Sequence, residues 1–194
     1  MKGVLFNVVE DVVETTMSPD LWDQVLADAH LHGAYTSLGD YPGAEMGAIV
    51  TALSARTGLP PEEVLRFAGE HGYRFLARRH GDLVARYPSF GALLHNLDAV
   101  IHPEVLKLYP SARPPVFVVA DAVTNGRADD GPTWIVTYRS SRGLCHLADG
   151  LMRGAAESFG QQAVVEQTSC VHRGDNTCVF IVSIGDPPTP PEQA

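Results

Sequence analysis

The stretch Trp134-Ile135-Val136-Thr137-Tyr138-Arg139-Ser140-Ser141-Arg142 marks the place where the chain stops reading as helix and reads as sheet. Trp134 to Tyr138 is rich in β-branched and aromatic residues, as is Val116-Phe117-Val118-Val119, and an acidic loop with an Asn125-Gly126 turn separates the two runs. Such runs between turn signals predict two strands. On an extended segment alternate residues share a side, so this spacing brings together the hydroxyls of Tyr138 and Ser140 and the guanidinium of Arg142. The arginine fork holds a carboxylate or phosphate, and two hydroxyls can serve the remaining oxygens, so the trio suits an anionic target. The same alternation also suits a solvated sheet face.

Downstream, Leu144 to Phe159 predicts a helix, and Ala163 to Val171 and Thr177 to Ile184 predict two further strands around Arg173-Gly174-Asp175-Asn176, a hairpin turn. Upstream, residues 2 to 17 set Val4, Leu5, Val8, Val9, Val12 and Val13 on one helical stripe, with Asn7, Glu10, Asp11 and Glu14 on the rest. Ser18-Pro19-Asp20 supplies an N-cap, a first-turn proline and an acidic residue for a second helix through Trp22, Val25 and Leu26, closed by His30 and His32. Helical patterns recur at 44 to 56, 61 to 79 and 90 to 100. Helices followed by strand-strand-helix-strand-strand predict an α+β fold. We expect one domain over residues 1 to 184, mainly helical over 1 to 110 and built on an antiparallel sheet over 111 to 184. Residues 185 to 194, with four prolines, predict a disordered tail.

At 194 residues the chain can bury a sizeable core and enclose a cofactor. A net charge of -9, from 14 basic and 23 acidic side chains, argues against a broad nucleic-acid footprint, which needs clustered Lys and Arg. No apolar run approaches the ~18 residues that span a bilayer, and the first helix has no basic leader or cleavage site, so we expect a cytoplasmic protein without a membrane partner. Paired carboxylates, a nucleophile motif and a phosphate loop are all missing from the pattern, so we do not expect an enzyme. Three cysteines cannot complete a disulfide framework, which leaves metal binding or free thiols.

The opening Met1-Lys2-Gly3-Val4-Leu5-Phe6-Asn7-Val8-Val9-Glu10, the stretch His102-Pro103-Glu104-Val105 running on to Lys107-Leu108-Tyr109-Pro110, then Pro114-Pro115, then Tyr138, Ser140 and Arg142 before Gly143-Leu144, follow one another in order. Together they resemble the haem nitric oxide/oxygen-binding family, H-NOX, over roughly residues 1 to 184. The resemblance implies haem b held between the helical part and the sheet, with His102 as the sole protein ligand to iron. It implies that Tyr138, Ser140 and Arg142 meet the haem propionates, and that Pro115 presses on the porphyrin and stores strain. His102 reads as the end of an apolar helix, from which its imidazole would project. Leu5 and Val9 are expected to wall the pocket, and Leu147 stands where oxygen-binding members carry a tyrosine donor. An apolar distal wall favours nitric oxide, with carbon monoxide as a further ligand and poor affinity for oxygen, which needs a donor. Tyr73 and His146 are the residues that would supply one if either pointed inward. The resemblance further implies a switch in which nitric oxide breaks the His102–iron bond and the signal passes to a separate histidine kinase or cyclic-di-GMP enzyme.

Cys170 and Cys178 flank the predicted hairpin and Cys145 lies on the neighbouring helix, so three thiolates with an imidazole would suit tetrahedral zinc. Some H-NOX members hold zinc through three cysteines and a histidine, but that histidine falls at Gln167 here, which leaves His172 or His146 as the replacement. Without metal the trio reads as redox-sensitive thiols or as small buried hydrophobes. Gly143-Leu144-Cys145 and the Cys170 to Cys178 segment also resemble a vinyl-reductase-like regulatory domain, which implies an alternative function, the binding of small hydrocarbons without haem.

Overall fold

The valine stripe of α1 (Gly3–Thr16) is turned inward, with Val8, Val9, Val12 and Val13 buried beside Phe6. The computed structural model describes residues 1–122 and 131–185; the Asn125-Gly126 turn and residues 186–194 lie outside them. Helix α2 (Pro19–Asp28) starts at Ser18, whose hydroxyl accepts from the Leu21 N–H at 3.1 Å. This satisfies a donor that the first helical turn leaves without a partner. With α3 (Gly43–Thr57) and α4 (Pro61–Arg79), these helices close around Phe6, Trp22, Val25, Met46, Ile49 and Leu53.

After α5 (Gly81–Val84) and α6 (Phe90–His95), the predicted helix over 90 to 100 does not continue regularly. The Asn96 carbonyl accepts from both Val100 and Ile101, which widens residues Leu97–Ile101 into a π turn before α7 (His102–Leu108). Pro103 explains the break, because it has no N–H to continue the ladder and is tolerated only in a first turn. His102 therefore opens a helix rather than closing one.

Strands β1 (Val116–Asp121) and β2 (Thr133–Arg139) precede α8 (Cys145–Ser158), and β3 (Ala163–Ser169) and β4 (Cys178–Ile184) follow it. The fold is α+β: the four strands are antiparallel in the order β1-β2-β4-β3, so β1 and β3 are the edges. Alternation puts Trp134, Val136, Tyr138, Phe180 and Val182 in the core, with Val136 opposite Phe180 and Tyr138 opposite Cys178. Val116, Val118, Ile135 and Ile181 lie exposed on the other face. No helix among the described residues is long and apolar enough to cross a membrane.

Helix α8 lies against α4, and glycines set the spacing. A Cβ on Gly150 would overlap the Arg66 carbonyl and come within 2.7 Å of the Glu70 nitrogen, and one on Gly154 would press on Tyr73 at 2.9 Å. Gly150→Ala is expected to destabilise the chain by about 1–3 kcal/mol, because backbone cannot yield as a flexible side chain does. A urea unfolding curve measures this. The same spacing places Leu147 of α8 and Tyr73 of α4 on one cavity.

Candidate functional site

Between the helical layer and the sheet lies a cavity of about 300 Å³, large enough to hold a bound small molecule. Its walls are mostly aliphatic and aromatic, with Val4 and Leu5 from α1, Leu76 from α4, Leu93 and Leu94 from α6, Phe117 from β1, and Leu147, Leu151 and Met152 from α8. Among these apolar walls stands His102, 15% exposed, with Nδ1 3.4 Å from Asp98 Oδ1. When Nδ1–H donates to the carboxylate, Nε2 is left as the nitrogen available to a metal.

Burial pushes the His102 imidazole pKa below its ordinary value, and Asp98 pulls it partly back. A depressed basic pKa means that the unfolded chain binds the proton more tightly. The stability gained by keeping this ring neutral is present above the free imidazole value of about 6.5 and is lost as pH falls through the lower folded value. Neutral imidazole is also the metal-binding form. If His102 holds a metal, retention of that centre, followed by its absorbance, is expected to persist through the free imidazole value of about 6.5 and to decline only at lower pH.

Tyr138, Ser140 and Arg142 all line the cavity, although not by the strand alternation expected of them. β2 ends at Arg139, so only Tyr138 projects from a strand; Ser140 and Arg142 sit in the following turn, where the Arg142 N–H donates to Ser140 Oγ at 3.2 Å. Arg142 Nη1 donates to the carbonyl of Arg113, which anchors the guanidinium beside Pro114 and Pro115, both on the cavity wall. Burial pushes the Tyr138 phenol up to about 12, against the lowering effect of Ser140, so the hydroxyl remains a donor at neutral pH. An apolar chamber with the His102 and His80 imidazoles on its wall and a tyrosine, a serine and an arginine together fits a flat hydrophobic cofactor with acidic substituents.

The remaining wall residues divide. Leu5 and Leu147 reach the cavity, whereas Val9 is 2% exposed and packs one turn further along α1, against a separate small void lined by Leu53, Val64 and Ala68. Tyr73 contributes its ring to the wall, but its hydroxyl is buried without a hydrogen-bond partner, and burial raises its pKa. His146 does not line the cavity.

The family model for haem-NO-binding proteins matches residues 2–167. The chain belongs to the H-NOX family. An H-NOX protein of Shewanella oneidensis, solved in its Fe(II)NO ligation state, is 30% identical, with a TM-score of 0.84 over 96% of this chain and 100% of that one. The unliganded Fe(II) H-NOX protein of K. algicida is 29% identical, with a TM-score of 0.81 over 96% of this chain and 98% of that one. Among curated proteins none matches. As an H-NOX protein, the chain is a haem-based gas sensor by family.

The cysteines form a second cluster in this H-NOX chain. Cys145 and Cys170 have their sulfurs 3.8 Å apart, and together with a nitrogen of His146 their ligand atoms lie within 4.8 Å of one another. Cys178 is buried nearby, with its sulfur accepting from the Val171 N–H at 3.5 Å. Burial pushes the Cys145 thiol up to about 12, although Gln167 acts to lower it. His146 has a buried Nδ1 without a partner, whereas His172 is 2.7 Å from the Gly143 carbonyl through Nε2, and the two rings stack at 5.7 Å. Of the two histidines weighed from sequence, it is His146 that comes to the thiols.

Asp98 and Phe117 were missed by sequence reasoning. Asp98 stands four residues before His102, a spacing at which helical side chains meet, so that signal was present. Phe117, whose ring centroid is 5.8 Å from that of His102 and 5.3 Å from that of Tyr138, comes from β1 and carried no local signal.

Proposed function

We propose that residues 1–184 form a single haem-binding domain that senses nitric oxide at ferrous haem b, with His102 as axial ligand. The observation that carries this reading is His102 itself, a largely buried imidazole on an apolar cavity wall whose Nδ1 is engaged by Asp98. Ferrous haem supplies the iron at which a diatomic gas binds. Tyr138, Ser140 and Arg142 hold the propionates through two hydroxyls and a guanidinium, Pro115 presses on the macrocycle, and Leu5 and Leu147 exclude water from the gas side. His102 releases the iron when nitric oxide binds, and the relaxation passes to a partner in the cytoplasm, a histidine kinase or a cyclic-di-GMP enzyme. The chain acts as a sensor and not as a catalyst.

Selectivity rests on Leu147, which gives no hydrogen bond where bound oxygen needs one. Carbon monoxide, which the Shewanella oneidensis protein carries in another solved state, is a further ligand.

The test is the visible spectrum of the ferrous protein, recorded without oxygen, then with nitric oxide, then in air. A five-coordinate spectrum that becomes a five-coordinate nitrosyl and forms no stable oxygen complex is expected. Leu147→Tyr should then retain oxygen in air. If the unaltered protein itself retains oxygen, Tyr73→Phe shows whether Tyr73 is the donor, and nitric oxide selectivity is lost as a reading. A chain that takes up no haem would favour the hydrocarbon-binding module instead.

We further propose zinc on Cys145, Cys170 and His146, with Cys178, whose sulfur lies outside the 4.8 Å set, moving in to complete it. Two thiolates on tetrahedral zinc stand ~3.8 Å apart, the separation of the Cys145 and Cys170 sulfurs. One zinc per chain by elemental analysis is expected, falling with His146→Ala and unchanged by His172→Ala; a metal-free chain leaves a thiol redox sensor.

A further inference from the structure

A single carboxylate oxygen serves both the cavity histidine and the edge of the sheet. Asp98 Oδ1 lies 3.4 Å from His102 Nδ1 and accepts the Phe117 backbone N–H at 3.3 Å. Phe117 belongs to β1, an edge strand, and its ring touches those of both His102 and Tyr138. The π turn Leu97–Ile101 sets this up, because the wide turn carries Asp98 and ends directly before His102. Single π turns inside helices gather at functional sites because they re-aim side chains by one position.

We propose that Asp98 is a positioning residue that couples the iron-binding imidazole of His102 to strand β1. The proposal rests on the reading of His102 as the iron ligand. A carboxylate that accepts Nδ1–H fixes the tautomer and ring orientation and makes Nε2 a stronger donor to metal. Because the same oxygen holds the Phe117 N–H, displacement of the ring redistributes a bond on which the edge strand depends. The ring contact moves Phe117 in the same event. Beside it, Val116 and Val118 lie 45% and 53% exposed on the outer face, so a shift of β1 changes the surface that a partner meets. Asp98 is itself 43% exposed, and solvent screening keeps its pull on His102 moderate.

The test pairs two readouts on the haem-loaded protein: the iron–imidazole stretching band by resonance Raman, and hydrogen exchange at the Phe117 amide by NMR. Asp98→Ala is expected to move the band to lower frequency and to speed Phe117 exchange by roughly three- to tenfold. Asp98→Asn keeps an acceptor oxygen without the charge, so it should restore Phe117 protection while leaving the band below that of the unaltered protein. A purely structural role for Asp98 would not separate the two readouts in this way. If Asp98→Ala does not fold, Asp98→Asn alone decides through the band. A haem-loaded variant with an unshifted band overturns the coupling and leaves His102 ligation standing. An unaltered protein with no iron–imidazole band overturns the ligation reading, and the coupling with it.

Discussion

His102→Gly is expected to lose the five-coordinate histidine-ligated spectrum and to retain haem at least about 100-fold more weakly. Partners that only orient a metal ligand are worth roughly 10- to 100-fold in metal affinity, so removal of the ligand itself must exceed that range. The cavity should survive the change. Its walls come from α1, α4, α6, β1 and α8, and the imidazole contributes one face near Phe117 and Asp98. Free imidazole added to the variant should therefore restore a five-coordinate spectrum, since the glycine leaves room beside Asp98 for a ring to re-enter. Optical titration with imidazole measures this. No recovery, together with an unaltered spectrum in the variant, would place the iron ligand elsewhere, and His80, also on the cavity wall, would be the next residue to replace.

Asp149→Ala should destabilise the chain by about 1–3 kcal/mol, the usual cost of leaving partly buried donors without their partner. Asp149 is 2% exposed and accepts from Arg66 Nε and Arg153 Nε, both at 2.7 Å, and Arg153 also donates to the Val165 carbonyl at 2.8 Å. One carboxylate thus ties α8 to α4 and, through Arg153, to β3. Without it, both guanidiniums lose their shared buried carboxylate, and Arg66 keeps only Glu63 and Arg153 only the Val165 carbonyl. A urea midpoint well below that of the unaltered protein is the expected measurement, and replacing Arg66 and Arg153 together with Asp149 by apolar residues should recover much of the loss. A shift no larger than that of an exposed pair such as Arg74 with Glu157 would show that water reaches the cluster.

Most of the helices and strands were legible because their causes are local. The Ser18-Pro19-Asp20 start, the valine stripe of α1 and the β-branched runs of β1 and β2 each depend on residues within a few positions. The π turn was not legible. Nothing in Leu97-Asp98-Ala99-Val100-Ile101 opposes an ordinary helix, and it takes Pro103 and the pull of Asp98 toward both His102 and Phe117 to shape it. The anion-binding trio was legible as a composition but not as a geometry: a turn, and not strand alternation, brings Ser140 and Arg142 to the cavity. Val9 shares a helical face with Leu5 in sequence, yet one further turn along α1 puts it under α3 and α4 and away from the cavity.

By itself the sequence determined the element types, their order, and the residue types that a haem requires. Only the tertiary structure decided which of those residues meet. Asp149 and Arg66 are 83 positions apart, Cys145 and Cys170 are 25 apart, and Asp98 and Phe117 are 19 apart, so no periodicity records their pairing. These contacts exist because glycines let α8 settle against α4 and because the sheet order sets β1 at an edge beside the π turn. Separations of an ångström between packed backbones decide them, and local propensity carries no information at that scale.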